Sequence, residues 1–262
     1  MHYKRDAESE NWSVTACGKE HMGKRTREYV YGINPAFEVV RAGRRKIYGA
    51  YLSESSARNP RMKKLEAFLE RREIGVEWVE KGRIRDLSGS KDNQGVVLRC
   101  SPYPYADFAD VREAGRIMLL DNVEDPHNVG AILRSAEIFG FNHVLLPMKG
   151  VPDVYPSIVK VSAGATEFMQ IVKEANANTY VKRLVDEGYQ VIALDGTGTV
   201  SSQEIYPLLG DRVLLVIGGE DKGVGQYILN TADYVMKIPQ SGRINSLNAS
   251  VAAGIAMYAL GG

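Results

Sequence analysis

The chain has 262 residues, 44% hydrophobic and 25% charged, with a formal net charge of +1, which suits a globular protein of one large or two small domains. Its two cysteines, Cys17 and Cys100, lie far apart and match neither a disulfide framework nor a metal-ligand spacing, and no apolar run approaches the roughly 18 residues of a membrane helix. The near-neutral total hides an asymmetry, because residues 28–100 hold fifteen Lys/Arg against ten Asp/Glu and residues 101–262 twelve against eighteen. A basic front suits contact with phosphates, or is simply a solvated charged face; the acidic back implies a second domain with a different partner.

Residues 1–27 mix acids and bases without an apolar centre, unlike a signal or transit peptide, and read as a mobile leader of a cytoplasmic protein. Ordered elements begin at Tyr29–Gly32, a short strand and turn. Asn34 and Pro35 then open a helix through Phe37 and Val40. A strand follows over Lys46–Leu52, then a helix from Pro60 with Met62, Leu65, Phe68 and Leu69 on one face. Strands at Val76–Val79 and Gly95–Arg99 complete a small α/β sandwich over residues 28–100. Residues 101–115, with two prolines and no helical period, read as a linker.

Residues 116–262 alternate strand and helix at the spacing of a largely parallel sheet covered on both faces. Strands are expected at Ile117–Leu120, His143–Leu146, Phe168–Val172, Gln190–Leu194 and Arg212–Ile217. Helices are expected from Asn128 to Phe139, at Pro156–Val161 and at Thr179–Glu187. From Leu214 onward the chain reads as a buried strand, a glycine turn carrying Glu220, a short helix, a second strand, a polar loop and a helix of small residues.

Several site chemistries are excluded. Gly223-Val224-Gly225 continues to Ile228, and Gly196-Thr197-Gly198 to Ser201, where a dinucleotide fingerprint needs its third glycine. No P-loop or Gly-x-Ser-x-Gly elbow is present, and His2, His21, His127 and His143 do not cluster as metal ligands. What remains is four loops that follow strands: Asp121–Arg134, Leu194–Gly198, Ile217–Gly223 and Ile238–Asn248. In an open parallel sheet, ligands bind at these carboxyl ends. Glycines there admit a flat ligand, although Gly196-Thr197-Gly198 taken alone reads better as a tight turn. Asn128 reads as a helix cap or a polar donor, and Ser246 as a cap of the final helix. Arg41, Arg44, Arg45, Lys46, Lys63 and Lys64 are the basic candidates in the front half for contact with phosphates.

Three segments together resemble the motifs of the SpoU (TrmH-type) branch of the SPOUT methyltransferases: Asn128-Val-Gly-Ala-Ile-Leu-Arg134, Ile217-Gly-Gly-Glu220-x-x-Gly223, and Ile238-Pro…Ser246-Leu-Asn248-x-Ser250. Their order and spacing match over residues 116–262. The front half, through Tyr31-Gly32-Ile33-Asn34-Pro35, is similar to the L30e-like substrate-binding domain of bacterial enzymes that methylate a 23S rRNA guanosine ribose. The resemblance implies a C-terminal trefoil knot, a homodimer with active sites at the subunit interface, no metal, and transfer of a methyl group from S-adenosyl-L-methionine to a ribose 2′-hydroxyl. By the same resemblance Arg134 is the base or proton acceptor, and Asn128, Glu220, Ser246 and Asn248 complete the catalytic set, with Glu220 accepting hydrogen bonds from Arg134 or from the partner subunit. Cofactor contacts would come from Leu194, Asp195, Gly196, Ile217, Gly218, Gly219, Ile238 and Leu247. Gln240 departs from the methionine usual after Ile-Pro. The front domain favours rRNA over tRNA as substrate. A noncatalytic ribosome assembly factor is the reading from a different class.

Overall fold

The computed structural model describes residues 27–243 and 246–260. The leader therefore lies outside the described residues except for Arg27, and so does Asn245 of the last loop.

The front unit runs β1 (Glu28–Tyr31), α1 (Ile33–Ala42), β2 (Ile47–Ser53), α2 (Pro60–Glu70), β3 (Val76–Val79), α3 (Lys81–Ser88) and β4 (Val96–Cys100). Its sheet has the order β1-β4-β2-β3, antiparallel except for the β2–β3 pair. Residues of α1 and α2 share one buried cluster with Val30, Ala50, Leu52 and Leu98, while Ile84 of α3 packs with Tyr31 and Val97 on the other face. Helix α1 starts two residues earlier than expected, after Gly32, so Pro35 sits in the first turn, where its missing N–H costs little. Asn59 caps α2 by accepting from the Arg61 amide. Helix α3 carries one buried side chain, Ile84, and so gives no period that the sequence could betray.

The segment read as a linker is packed and partly helical. Tyr103 is buried, its hydroxyl donating to the Thr166 carbonyl at 2.8 Å, Ala106 pairs with Val172, and Phe108–Val111 forms α4 behind an Asp107/Asp110 capping box.

The second unit comprises β5 (Arg116–Asp121), α5 (Pro126–Ile138), β6 (His143–Leu145), α6 (Pro156–Val161), β7 (Gln170–Val172), α7 (Ala177–Asp186), β8 (Gln190–Leu194), α8 (Ser202–Ile205), β9 (Val213–Gly218), α9 (Gln226–Thr231), β10 (Tyr234–Met236) and α10 (Ala249–Leu260). The strands pair in parallel in the order β10-β8-β9-β5-β6-β7. Strands β5 and β9 are buried on both faces, Met118, Leu120 and Leu215 belonging to one cluster and Ile117, Leu119 and Leu214 to the other. That is why they read as unbroken apolar runs. Phe168, expected to begin a strand, lies instead in the 3-10 turn Ala165–Phe168. Strand β10 is at the sheet edge, yet α10 packs on α5, which follows the inner strand β5. Between them, residues 237–240 and 246–248 lie around the carboxyl ends of β8 and β9. No helix among the described residues is long and apolar enough to cross a membrane.

The basic run at 44–46 requires a correction. Arg45 is buried, its guanidinium gripping both oxygens of the fully buried Glu167 at 2.7 and 2.9 Å and reaching Glu28 at 2.7 Å. Arg44 is half-buried and donates to the Pro104, Glu167 and Met169 carbonyls. Neither is available to RNA, because both tie the front sheet to the turn after α6. Arg41 is exposed but paired with Glu38, whereas Lys46, Lys63 and Lys64 are exposed, with no ion pair among the described residues.

Candidate active site

A concavity of about 850 Å3 opens at the carboxyl ends of β8, β9 and β10. All eight residues expected to touch the cofactor line it, together with Glu220, Ser246 and Asn248 of the expected catalytic set.

The floor is the turn after β9. A Cβ on Gly219 would collide with the Asn122 carbonyl, and one on Gly218 would lie 2.5 Å from the Gly223 backbone, so only glycine lets the turn fold this tightly against β5. Asp121, at the end of β5, holds the turn at both ends. Its carbonyl accepts from the Gly219 amide (2.9 Å) and its carboxylate from the Gly225 amide (2.8 Å). Burial pushes the Asp121 carboxyl above the usual aspartate range, and the Gly225 hydrogen bond opposes this in part. Asp121 was absent from the expected site; its place at a strand end was the available signal.

The wall is the loop after β8. Asp195 accepts from the Thr197 amide (2.9 Å) and hydroxyl (2.7 Å), which makes Gly196-Thr197-Gly198 a tight turn. Gly198 packs on the β10 backbone, while Gly196 lines the cavity. The far side is Lys237-Ile238-Pro239-Gln240, then Ser246, Leu247 and Asn248. Gln240, the departure from the family pattern, thus borders the cavity, and Lys237 supplies a cation there that the sequence reading did not single out.

Polar groups converge at the mouth. The Glu220 Oε1 atom accepts from Asn128 Nδ2 (3.1 Å), Asn248 Nδ2 (2.7 Å) and the Ala249 amide (3.1 Å). Asn248 Nδ2 also donates to Asn128 Oδ1 at 2.9 Å. Two expected caps are corrected. Asp125, not Asn128, caps α5 by accepting from the His127 amide, with Pro126 following as first residue, so Asn128 lies inside the first turn and its side chain is left for Glu220. At α10 Asn248, rather than Ser246, is the cap, its Oδ1 accepting from the Ser250 and Val251 amides.

Arg134 does not join this cluster. It is exposed on α5, outside the cavity lining, and makes no hydrogen bond or ion pair among the described residues. The expected bond from Arg134 to Glu220 within one chain is therefore not formed. Arg134 lies one turn before Ile138, on a surface where Ile138, Val251, Ile255 and Tyr258 are all exposed, Tyr258 by 72%. Among the described residues no group of three or more His, Cys, Asp or Glu is arranged to hold a metal ion.

Residues 115–258 match the SpoU rRNA Methylase family, and residues 29–106 match the RNA 2′-O ribose methyltransferase substrate binding family. A TrmH family tRNA/rRNA methyltransferase of Bacillus subtilis (strain 168) is 29% identical over 239 residues, covering 88% of this chain and 94% of that protein. The AdoMet-bound rRNA methyltransferase of Sinorhizobium meliloti superposes with a TM-score of 0.73 at 25% identity, over 90% of this chain and 87% of that one. The TrmH/SpoU tRNA modifying enzyme of A. aeolicus gives a TM-score of 0.50 at 27% identity, over 57% of this chain and 75% of that one. The chain belongs to the SpoU rRNA Methylase family of RNA methyltransferases, and carries that family's substrate-binding domain at its front.

Proposed function

We propose that the protein methylates a ribose 2′-hydroxyl of RNA, with S-adenosyl-L-methionine as cofactor and a guanosine of 23S rRNA as target. The observation that carries this reading is the Asn128–Glu220–Asn248 cluster at the mouth of a glycine-floored cavity. The cavity is of the size that takes a nucleoside-sized ligand, with Leu194, Ile217, Ile238 and Leu247 as apolar surface and loop backbone as polar surface. Bound there, S-adenosyl-L-methionine would supply an electrophilic methyl group.

The remaining roles fall to this chain's own residues. Asn128, Ser246 and Asn248 orient the ribose at the cavity mouth, with Glu220 fixing the two amides. Arg134 stands at the proton-accepting position, and since a guanidinium is normally protonated and cannot take a second proton, the hydroxyl proton passes to an RNA phosphate that Arg134 pairs with as the methyl is transferred. Arg134 lacks a partner within its own chain among the described residues, which suits a site shared between two copies. Helix α10 supports such a dimer. One face, Ala249, Ala253, Ala256, Met257 and Leu260, is buried on its own chain, and the other, Val251, Ile255 and Tyr258, is apolar and exposed. Return of the chain from β10 to α10 is read as the threading of the trefoil knot.

In this reading residues 28–100 are the RNA-binding domain, 101–115 the connection and 116–262 the catalytic domain. Similarity to the Sinorhizobium meliloti rRNA enzyme extends over both units, whereas similarity to the tRNA modifying enzyme covers little more than half the chain; this favours rRNA.

Tritiated methyl transfer to rRNA and to tRNA from a strain lacking the enzyme, followed by mapping, tests the assignment. Label at a 2′-O-methylguanosine of 23S rRNA is expected. Label on tRNA alone would replace the substrate, and no label on either, with cofactor binding intact, would remove the enzyme reading in favour of an assembly factor. Arg134→Lys should lower turnover by about 100-fold or more while cofactor affinity changes by less than about threefold.

A further inference from the structure

The basic run at 44–46 divides, and the part that stays outside assembles a second surface. Strand β2 is bulged against β4. Ile47 faces Cys100 and Gly49 faces Arg99, which leaves Tyr48 as the extra residue. A bulge re-aims the side chain it releases. Tyr48 is 37% exposed, with Arg27 and Lys46 each 5.4 Å from its ring centroid, in cation–π contact. Arg99 lies beside them and donates to the Tyr48 carbonyl at 3.2 Å, while its Nε is buried without a hydrogen-bond partner among the described residues. None of these three cations has a carboxylate within ion-pair distance among the described residues, although Arg45, next in sequence to Lys46, takes two.

We infer that Tyr48, with Arg27, Lys46 and Arg99, is a docking platform for a single-stranded segment of the RNA substrate, on which one base stacks while the cations hold the adjacent phosphates. An exposed ring framed by unpaired cations matches a base with its phosphate, the pairing by which proteins hold single strands. An A-form duplex would offer Tyr48 no free base face, and an acidic peptide would use the cations and leave the ring idle. The platform lies at the start of β2 and the end of β4, the inner strands of the front sheet, next to the Arg45–Glu167 contact, whereas the catalytic cluster lies at the carboxyl ends of the second sheet. It therefore grips RNA away from the target ribose, and its loss raises the KM for RNA and leaves kcat in place. The inference rests on the RNA-methylating reading.

The test uses the full chain. Titrations employ a single-stranded oligouridylate and an RNA hairpin, and kinetics employ unmodified rRNA. Tyr48→Ala should weaken oligouridylate binding about tenfold, with Tyr48→Phe near wild type, because the ring face and not the hydroxyl is used. Lys46→Gln should lower the slope of log K against log salt by about 0.7. Since Tyr48 and Lys46 are both exposed, unchanged thermal midpoints are expected and checked alongside. Equal loss on oligouridylate and hairpin, an unchanged salt slope, or a fall in kcat without a rise in KM would overturn the platform. If wild type transfers no methyl to any RNA, the functional reading falls, and the titrations still decide the platform separately.

Discussion

A single oxygen of Glu220 accepts three hydrogen bonds, two from amide side chains on different elements and one from the first amide of α10. Each donor alone would be satisfied by water. Together they set the last loop and the start of α10 against α5, and a carboxylate at a helix N-terminus gains from the helix dipole as well. Glu220→Ala should therefore lower cofactor affinity by about tenfold, the loss of one net charge-assisted hydrogen bond, with Glu220→Gln losing less because its carbonyl still accepts. Calorimetry on the three proteins measures this, and an unaltered alanine variant would show that the cluster does not shape the cavity. Asp121 predicts a pH effect of definite sign. Burial raises its carboxyl in the folded chain, so between the unfolded and folded values the native state holds more proton than the unfolded one. Stability from this group is fully present below the unfolded value, near pH 4, and is lost as pH rises through the folded value. Asp121→Asn can keep the acceptor for Gly225 and drops the buried charge. Its thermal midpoint should fall less than that of wild type between pH 4 and pH 6, and a parallel pair of profiles would contradict the assignment.

At the scale of elements, what could be read depended on how much apolar pattern each element carries. The inner strands β5 and β9 are buried on both faces and declared themselves as apolar runs, and α2 did so through Met62, Leu65 and Leu69. Helix α3 buries one residue and the turn at Ala165–Phe168 is shaped by backbone, so neither had a period to find. Capping failed at Asn128 and Ser246 for a related reason. In each case a better acceptor stood nearby, Asp125 ahead of a proline and Asn248 immediately before α10, and propensity does not choose between neighbours. Of the candidate site, spacing pointed to the loops at strand ends, but only the motif resemblance joined Asn128 to Glu220 and Asn248 across the chain. Within α5, Gly130 makes a prediction that opposes local propensity. A Cβ there would lie 2.6 Å from the Val161 Cβ and 3.2 Å from the Ile158 carbonyl, both on α6. Alanine gains about 1 kcal/mol of helix propensity over glycine. Overpacking two helices costs about 1–3 kcal/mol, and the nearer atoms are backbone and a β-branched carbon that cannot swing away. Gly130→Ala should thus destabilise by roughly 1 kcal/mol, seen as a lower urea midpoint at unchanged slope; a higher midpoint would mean that α6 yields.

For the molecule as a whole, the question is what makes two units act as one. A contiguous buried cluster runs from Val30 and Ala36 of the front unit to Val159 and Ile171 of the second, and within this boundary lies the pair formed by Arg45 and Glu167. Burial alone would lower the Arg45 guanidinium, but Glu167, with Cys100 and Glu28, more than reverses this and holds it charged. Burial of Glu28 raises its carboxyl, with Arg45 opposing, so the arginine's firm partner is Glu167. Removing one member of such a pair leaves an uncompensated charge out of water and costs about 3–5 kcal/mol, whereas replacing both by apolar residues of similar volume is often neutral. Glu167→Leu should accordingly destabilise by about that amount, and Arg45→Met/Glu167→Leu should recover part of it, because Glu28, 13% exposed, then loses its arginine. The cycle is measured by chemical denaturation. Because the pair joins the units, Glu167→Leu should also split the transition, with the front unit losing near-ultraviolet signal first. If the single variant unfolds in one step with less than about 1 kcal/mol lost, apolar contact alone holds the units together, and the arginine is a passenger at the boundary.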